Sequence, residues 1–103
     1  MSSLCIFDSR KLQHEFSGHA ADFGVTGNWN TANADLFRQA IQNHIANAPL
    51  PIQETFRGTL LVTHYFDPAT SLWVAVDQTN TFLAGWKLYP SQIVELLTKG
   101  NVR

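Results

Sequence analysis

Apolar residues recur along the chain with two different periods, and the change of period divides the sequence. Over residues 8–17 Asp8 is a good helix N-cap, and Leu12 and Phe16 lie four apart on one face, with Gly18 expected to interrupt the helix. Phe23-Gly24-Val25-Thr26-Gly27-Asn28 reads as a glycine-rich turn. A second, longer helix follows. Asn30 or Thr31 can cap it, Leu36, Phe37, Ala40, Ile41, His44, Ile45 and Ala48 give a helical stripe, and Asn47, Pro49 and Pro51 end it. Beyond Pro51 the period shortens to that of strands. Thr55-Phe56-Arg57 and residues 60–66 are rich in aromatic and β-branched side chains, with Gly58 between them as a turn signal. Asp67-Pro68 opens a further turn, Leu72, Val74 and Val76 alternate, and Gln78-Thr79-Asn80 turns the chain again. Residues 81–88 make another strand, on which Phe82, Ala84 and Trp86 are expected to share a face. Pro90 then starts a last short helix that carries Ile93, Val94, Leu96 and Leu97 and stops at Gly100. Connections this short join strands antiparallel. The expected fold is α+β: N-terminal helices packed on a roughly four-stranded antiparallel sheet, with a short C-terminal helix.

Composition narrows the function classes. A chain of 103 residues with 45% hydrophobic content is expected to form one domain, residues 1–103, without linker, repeat or low-complexity tract. No apolar run reaches the length a membrane-spanning helix needs, so no membrane partner is expected. The start, Met1-Ser2-Ser3-Leu4-Cys5, lacks a basic region ahead of a hydrophobic one and is not expected to be a secretory signal. A single cysteine, Cys5, excludes an internal disulfide and reads as a small apolar residue. Seven Lys and Arg against eight Asp and Glu, a formal charge of −1, exclude a strong, diffuse polyanion binder but permit a local cationic cluster.

The four histidines invite a metal reading that their spacing does not support. His14 and His19 are five apart, which does not fit an i, i+4 helical pair, and no cysteine pair helps; no metal or cofactor is expected. His44 lies on the apolar stripe and reads as a packed histidine, and His14 as a solvated one. His64 lies mid-strand on the Leu60, Val62 and Phe66 face, where packing and a site role both fit. His19 follows a glycine at a helix end with Asp22 close by; a surface histidine and a general acid–base group both fit. Trp86 can be core or a base-stacking platform, Lys87 beside it must point the other way, and Arg57 can meet phosphate or water.

The order of motifs resembles a known family. His19-Ala20-Ala21-Asp22-Phe23-Gly24-Val25-Thr26-Gly27 is similar to the histidine motif of the C-terminal nuclease domains of the colicin D family and its contact-dependent-inhibition relatives. The likeness continues through residues 34–44, Thr55-Phe56-Arg57 and Thr63-His64-Tyr65, and closes on Phe82-Leu83-Ala84-Gly85-Trp86-Lys87-Leu88. It implies a barnase- and RelE-like ribonuclease fold and a metal-independent toxin ribonuclease. Such an enzyme cuts tRNA, arginine-accepting tRNAs included, in the anticodon loop, and is held in check by an immunity protein or antitoxin. It would act in the cytoplasm, in some cases after delivery as the C-terminal part of a larger secreted toxin. Carried over by motif, His19 is the catalytic histidine, Trp86 the site tryptophan, and Arg57 and Lys87 basic substrate contacts, with His64 available as a second catalytic group. Two departures stand out. The family has lysine immediately before the histidine and another two residues earlier, where this chain has Gly18 and Phe16, and serine where it has Ala84. A weakened or non-catalytic relative that binds tRNA or an inhibitor protein is the alternative reading.

Overall fold

The computed structural model describes residues 5–56 and 60–102. Helix α1 (Ser9–His19) is followed by a 3₁₀ turn (Ala20–Phe23), α2 (Thr31–Asn47), strands β1 (Leu50–Phe56), β2 (Leu60–Phe66), β3 (Leu72–Asp77) and β4 (Phe82–Lys87), α3 (Pro90–Lys99) and the short β5 (Asn101–Val102). The caps expected from the sequence are in place. The Asp8 carboxylate accepts from the Arg10 and Lys11 amides, the Asn30 side chain accepts from the Asn33 amide, and Gly100 closes α3 in the left-handed conformation. Gly18 does not interrupt α1, which runs one residue past it and ends on His19.

The strands form one sheet in the order β4-β3-β2-β1-β5. The first four make the expected antiparallel meander; β5 adds a fifth strand, parallel to β1 through Thr55↔Asn101 and Phe56↔Val102. Apolar side chains cover both faces. Leu12, Phe16, Phe37 and Ile41 of α1 and α2 pack with Val74, Val76 and Phe82, while Leu96 of α3 packs on the other side with Phe56, Val62, Phe66, Trp73, Ala75 and Ala84. The Cys5 thiol is buried in the first core, which pushes its pKa up to about 11 and makes it an inert apolar residue.

One register shift matters for the site. Ala75 faces Ala84 but Val76 faces Phe82, so Leu83 is an extra residue in β4. The expectation that Phe82, Ala84 and Trp86 share a face is therefore corrected. Phe82 joins the α1–α2 core, and Ala84 and Trp86 turn to the opposite face. Gly85 then points to the helix side, where a Cβ would come within 3.1 Å of both the Phe23 ring and the Trp73 carbonyl oxygen. The missing side chain lets the 3₁₀ turn settle directly on the edge strand β4.

Candidate active site

Docking of that turn places His19 at the sheet edge. Its ring lies 5.2 Å from the Trp86 ring, centroid to centroid and tilted by 34°. The imidazole sits between two carboxylates: Nε2 is 3.7 Å from Glu15 Oε2, one helical turn back, and Nδ1 is 3.8 Å from Asp22 Oδ2, in the 3₁₀ turn. Asp22 is itself anchored, because Oδ2 accepts the backbone N–H of Lys87 at 3.0 Å. This bond ties the turn to the end of β4 and so fixes His19 relative to Trp86. The His19 side chain keeps 37% of its exposure, whereas that of Glu15 keeps only 9%.

A cleft of about 540 Å³ opens beside this group, lined by Arg10, Lys11, His14 and Glu15 of α1 and by Phe56, Leu60, Leu83 and Ala84. Its floor is largely apolar, two cations stand on its helix side, and Glu15 belongs both to it and to the His19 contact. The overall charge of −1 thus conceals a local pair of cations beside a concave surface.

Behind Trp86 the rings continue inward. Trp86 meets Trp73 at 4.6 Å and 63°, and Trp73 meets Phe56 at 5.4 Å. The Trp73 indole N–H donates to His64 Nδ1 at 2.9 Å. His64 Nδ1 is therefore unprotonated, so Nε2 carries the hydrogen and donates to the Thr55 carbonyl oxygen at 2.8 Å. His64 is fully buried with both ring nitrogens engaged, and burial lowers its pKa from the ordinary value. The structure does not bring it to the His19 surface.

The other expected site residues separate in the same way. Ala84 is buried in the cleft wall, Lys87 contributes its backbone N–H to Asp22, and Gly18 lies on the exposed side of α1. Arg57 lies outside the described residues. From the sequence Asp22 is visible only as a carboxylate near His19 and Glu15 is missed, although i, i+4 spacing on a continuous helix is a usable signal. Among the described residues no group of three or more His, Cys, Asp or Glu side chains is arranged to hold a metal, and no helix is long and apolar enough to cross a membrane.

The buried His64 and the half-buried His44 make the fold sensitive to acid. His44 donates from Nε2 to the Tyr65 carbonyl oxygen at 2.7 Å, and burial lowers its pKa as it does that of His64. In the unfolded chain both titrate near ~6.5. Folded, they stay neutral to lower pH, so below that value the unfolded chain binds more protons and stability falls with pH. Thermal melting is expected to be flat in these two groups above about pH 7 and to fall between about pH 6.5 and 5. Removing both rings, as His44→Gln with His64→Gln, should flatten that slope, and an unchanged slope would refute the assignment.

The comparisons with known proteins bear on the fold and the family. A solved structure, a ribonuclease from Escherichia coli complexed with its inhibitor protein, matches with a TM-score of 0.76 at 29% identity, over 88% of this chain and 99% of that one. The fold is that of a small α+β ribonuclease, as the sequence led one to expect. Colicin-D of Escherichia coli is 31% identical over 85 residues, which are 82% of this chain and 12% of that much longer protein. The Colicin D family model matches residues 11–96, and the chain belongs to that family.

Proposed function

We propose that this chain is the ribonuclease domain of a bacterial toxin, and that it cuts tRNA in the anticodon loop without a metal ion. The substrate's own 2′-hydroxyl attacks the adjacent phosphorus, leaving a 2′,3′-cyclic phosphate and a 5′-hydroxyl. The observation that carries this reading is the seating of His19: beside Asp22, packed on Trp86, and in contact with Glu15, which lines a cleft with cations on its helix side. An exposed imidazole in that setting suits proton transfer to or from a ribose or phosphate oxygen. Trp86, backed by Trp73, offers a rigid ring against which an unstacked loop base can lie. Arg10 and Lys11 in the cleft, with Arg57 and Lys87 as the motif's basic residues, would draw in and hold the phosphodiester chain. Membership of the Colicin D family and likeness to a ribonuclease with an inhibitor protein support both the activity and an immunity-protein partner. That the match to colicin-D spans 12% of its length supports a domain carried within a larger toxin, and tRNA as substrate would put its site of action in the cytoplasm.

Total tRNA incubated with the chain in excess EDTA tests this reading. The expected result is a discrete cut in the anticodon loop with a cyclic-phosphate end. Cleavage lost in EDTA and restored by a divalent ion would overturn the metal-free mechanism. Binding without any cleavage would favour the RNA-binding alternative that Gly18 and Ala84 raise.

Those two departures are themselves testable. Gly18 is helical, and a Cβ built there meets nothing within 4 Å, so lysine fits without strain and gains helix propensity of up to ~1 kcal/mol. Ala84 lines the cleft. Gly18→Lys and Ala84→Ser are each expected to raise the single-turnover rate by up to about tenfold, far less than a preorganised donor is worth. If neither folded variant is faster, these positions do not reach the reacting phosphate.

A further inference from the structure

One imidazole cannot remove the 2′-hydroxyl proton and protonate the leaving oxygen in the same step, and His64, fully buried with both nitrogens engaged, is not brought to the surface that would do so. The two carboxylates beside His19 are not equivalent. Asp22 faces Nδ1 and is fixed by the Lys87 backbone N–H, which makes it an orienting group. Glu15 faces Nε2, the nitrogen left for the substrate once Nδ1 is turned to Asp22, and its side chain also lines the cleft.

Resting on the ribonuclease reading above, we propose that Glu15 is a catalytic residue and the general base of the reaction. The Glu15 carboxylate takes the proton of the 2′-hydroxyl as the 2′-oxygen–phosphorus bond forms. His19, entering as imidazolium, gives its Nε2 proton to the 5′-oxygen as the phosphorus–5′-oxygen bond breaks. One proton is taken up and one released, so no co-reactant is needed. Afterwards Glu15 is protonated and His19 neutral. At 3.7 Å the two groups are near enough for the proton to return once the product leaves, which restores both for the next turnover. In the empty site they face each other directly, and the phosphodiester enters between them, as catalytic contacts commonly rearrange when substrate binds. The Glu15 side chain keeps only 9% of its exposure, beside the apolar Phe56, Leu83 and Ala84 of the cleft, and Arg10 and Lys11 there attract the polyanion that a carboxylate would repel.

The test pairs two substrates. Once total-tRNA mapping has located the cut, an RNA oligonucleotide spanning it is made in two forms, with oxygen or bridging sulfur as the 5′ leaving atom. A thiolate leaves without a proton, so the sulfur substrate needs a base but no acid. The parent is expected to cut both. Glu15→Gln is expected to slow both by about 100-fold or more, whereas His19→Ala slows the oxygen substrate by a similar factor and recovers on sulfur. If Glu15→Gln cuts the oxygen substrate as fast as the parent, the assignment falls while the nuclease reading stands. If Glu15→Gln is rescued by sulfur as His19→Ala is, Glu15 acts through His19 and the assignment also falls. Should Glu15→Gln melt early, Glu15→Asp serves instead: it keeps a carboxylate one methylene back, and slowing of both substrates by the same factor supports the base role, while an unchanged rate or sulfur rescue overturns it. A parent that cuts no RNA overturns the nuclease reading and this assignment together.

Discussion

Replacing His19 by alanine is expected to lower RNA cleavage by about 100- to 10,000-fold, the range a missing general acid–base group typically costs. The fold should survive the change. The His19 side chain is more than one-third exposed, sits at the end of α1, and makes its contacts with the flank of Trp86 and two carboxylates rather than with the core. A truncation at such a site changes stability by no more than about 1 kcal/mol. Its two carboxylate contacts are partly open to solvent on the Asp22 side, where ion pairing contributes little. The measurement is single-turnover cleavage of a tRNA anticodon stem-loop, with thermal melting run alongside. Growth arrest on induction in bacteria gives a second readout, which His19→Ala should abolish. A folded His19→Ala chain that keeps the parent's rate would remove His19 from the chemistry and leave its contact with Trp86 as ordinary packing.

What could be read from the sequence, and what could not, follows from where the information is local. Caps and stripes are local, so α2 and α3 were legible from Asn30, Pro90 and the apolar spacing. The antiparallel order of β1 to β4 followed from short connections. Strand β5 was not legible: Asn101-Val102 is too short to carry a period, and it pairs with β1 across 46 residues of sequence. Gly18 misled for a physical reason. Glycine costs a helix interior only about 1 kcal/mol, and capping by Asp8 together with burial of Leu12 and Phe16 outweighs that. Ending the helix early also separated Glu15 from His19, which hid a contact that continuous i, i+4 spacing would have revealed. Leu83 misled differently, since nothing in an apolar run marks which residue bulges, and one bulge moved Phe82 to the opposite face from Trp86. For His64 the alternation pointed to the right face, but its partner, Trp73, is set by tertiary packing.

Trp73→Ala is expected to be the most damaging single substitution in the sheet. Trp73 is fully buried, contacts Trp86, Phe56 and His64, and carries the indole N–H that satisfies His64 Nδ1. Truncating a buried tryptophan costs about 3–5 kcal/mol in lost transfer energy and cavity. Leaving His64 Nδ1 without its donor in the interior adds about 1–3 kcal/mol. Against a total stability of roughly 5–15 kcal/mol, that removes a large share and lowers the melting temperature by about 20 °C or more. Trp73→Phe separates the two contributions: it keeps most of the ring volume and removes the donor, so its cost should fall toward about 1–3 kcal/mol, a drop of roughly 5–20 °C in a domain of this size. Cleavage should suffer in Trp73→Phe beyond what the melting curve explains, because Trp86 rests on Trp73 on one side and meets His19 on the other. Urea unfolding and single-turnover cleavage, measured below the transition of each variant, check both halves. A Trp73→Ala protein that melts within a few degrees of the parent would mean that the ring chain from His19 to His64 does not support the site. A Trp73→Phe protein that is less stable yet cleaves at the parent's rate would confine Trp73 to the core and leave Trp86 held by its own N–H, which donates to Gln92 Oε1 at 3.3 Å.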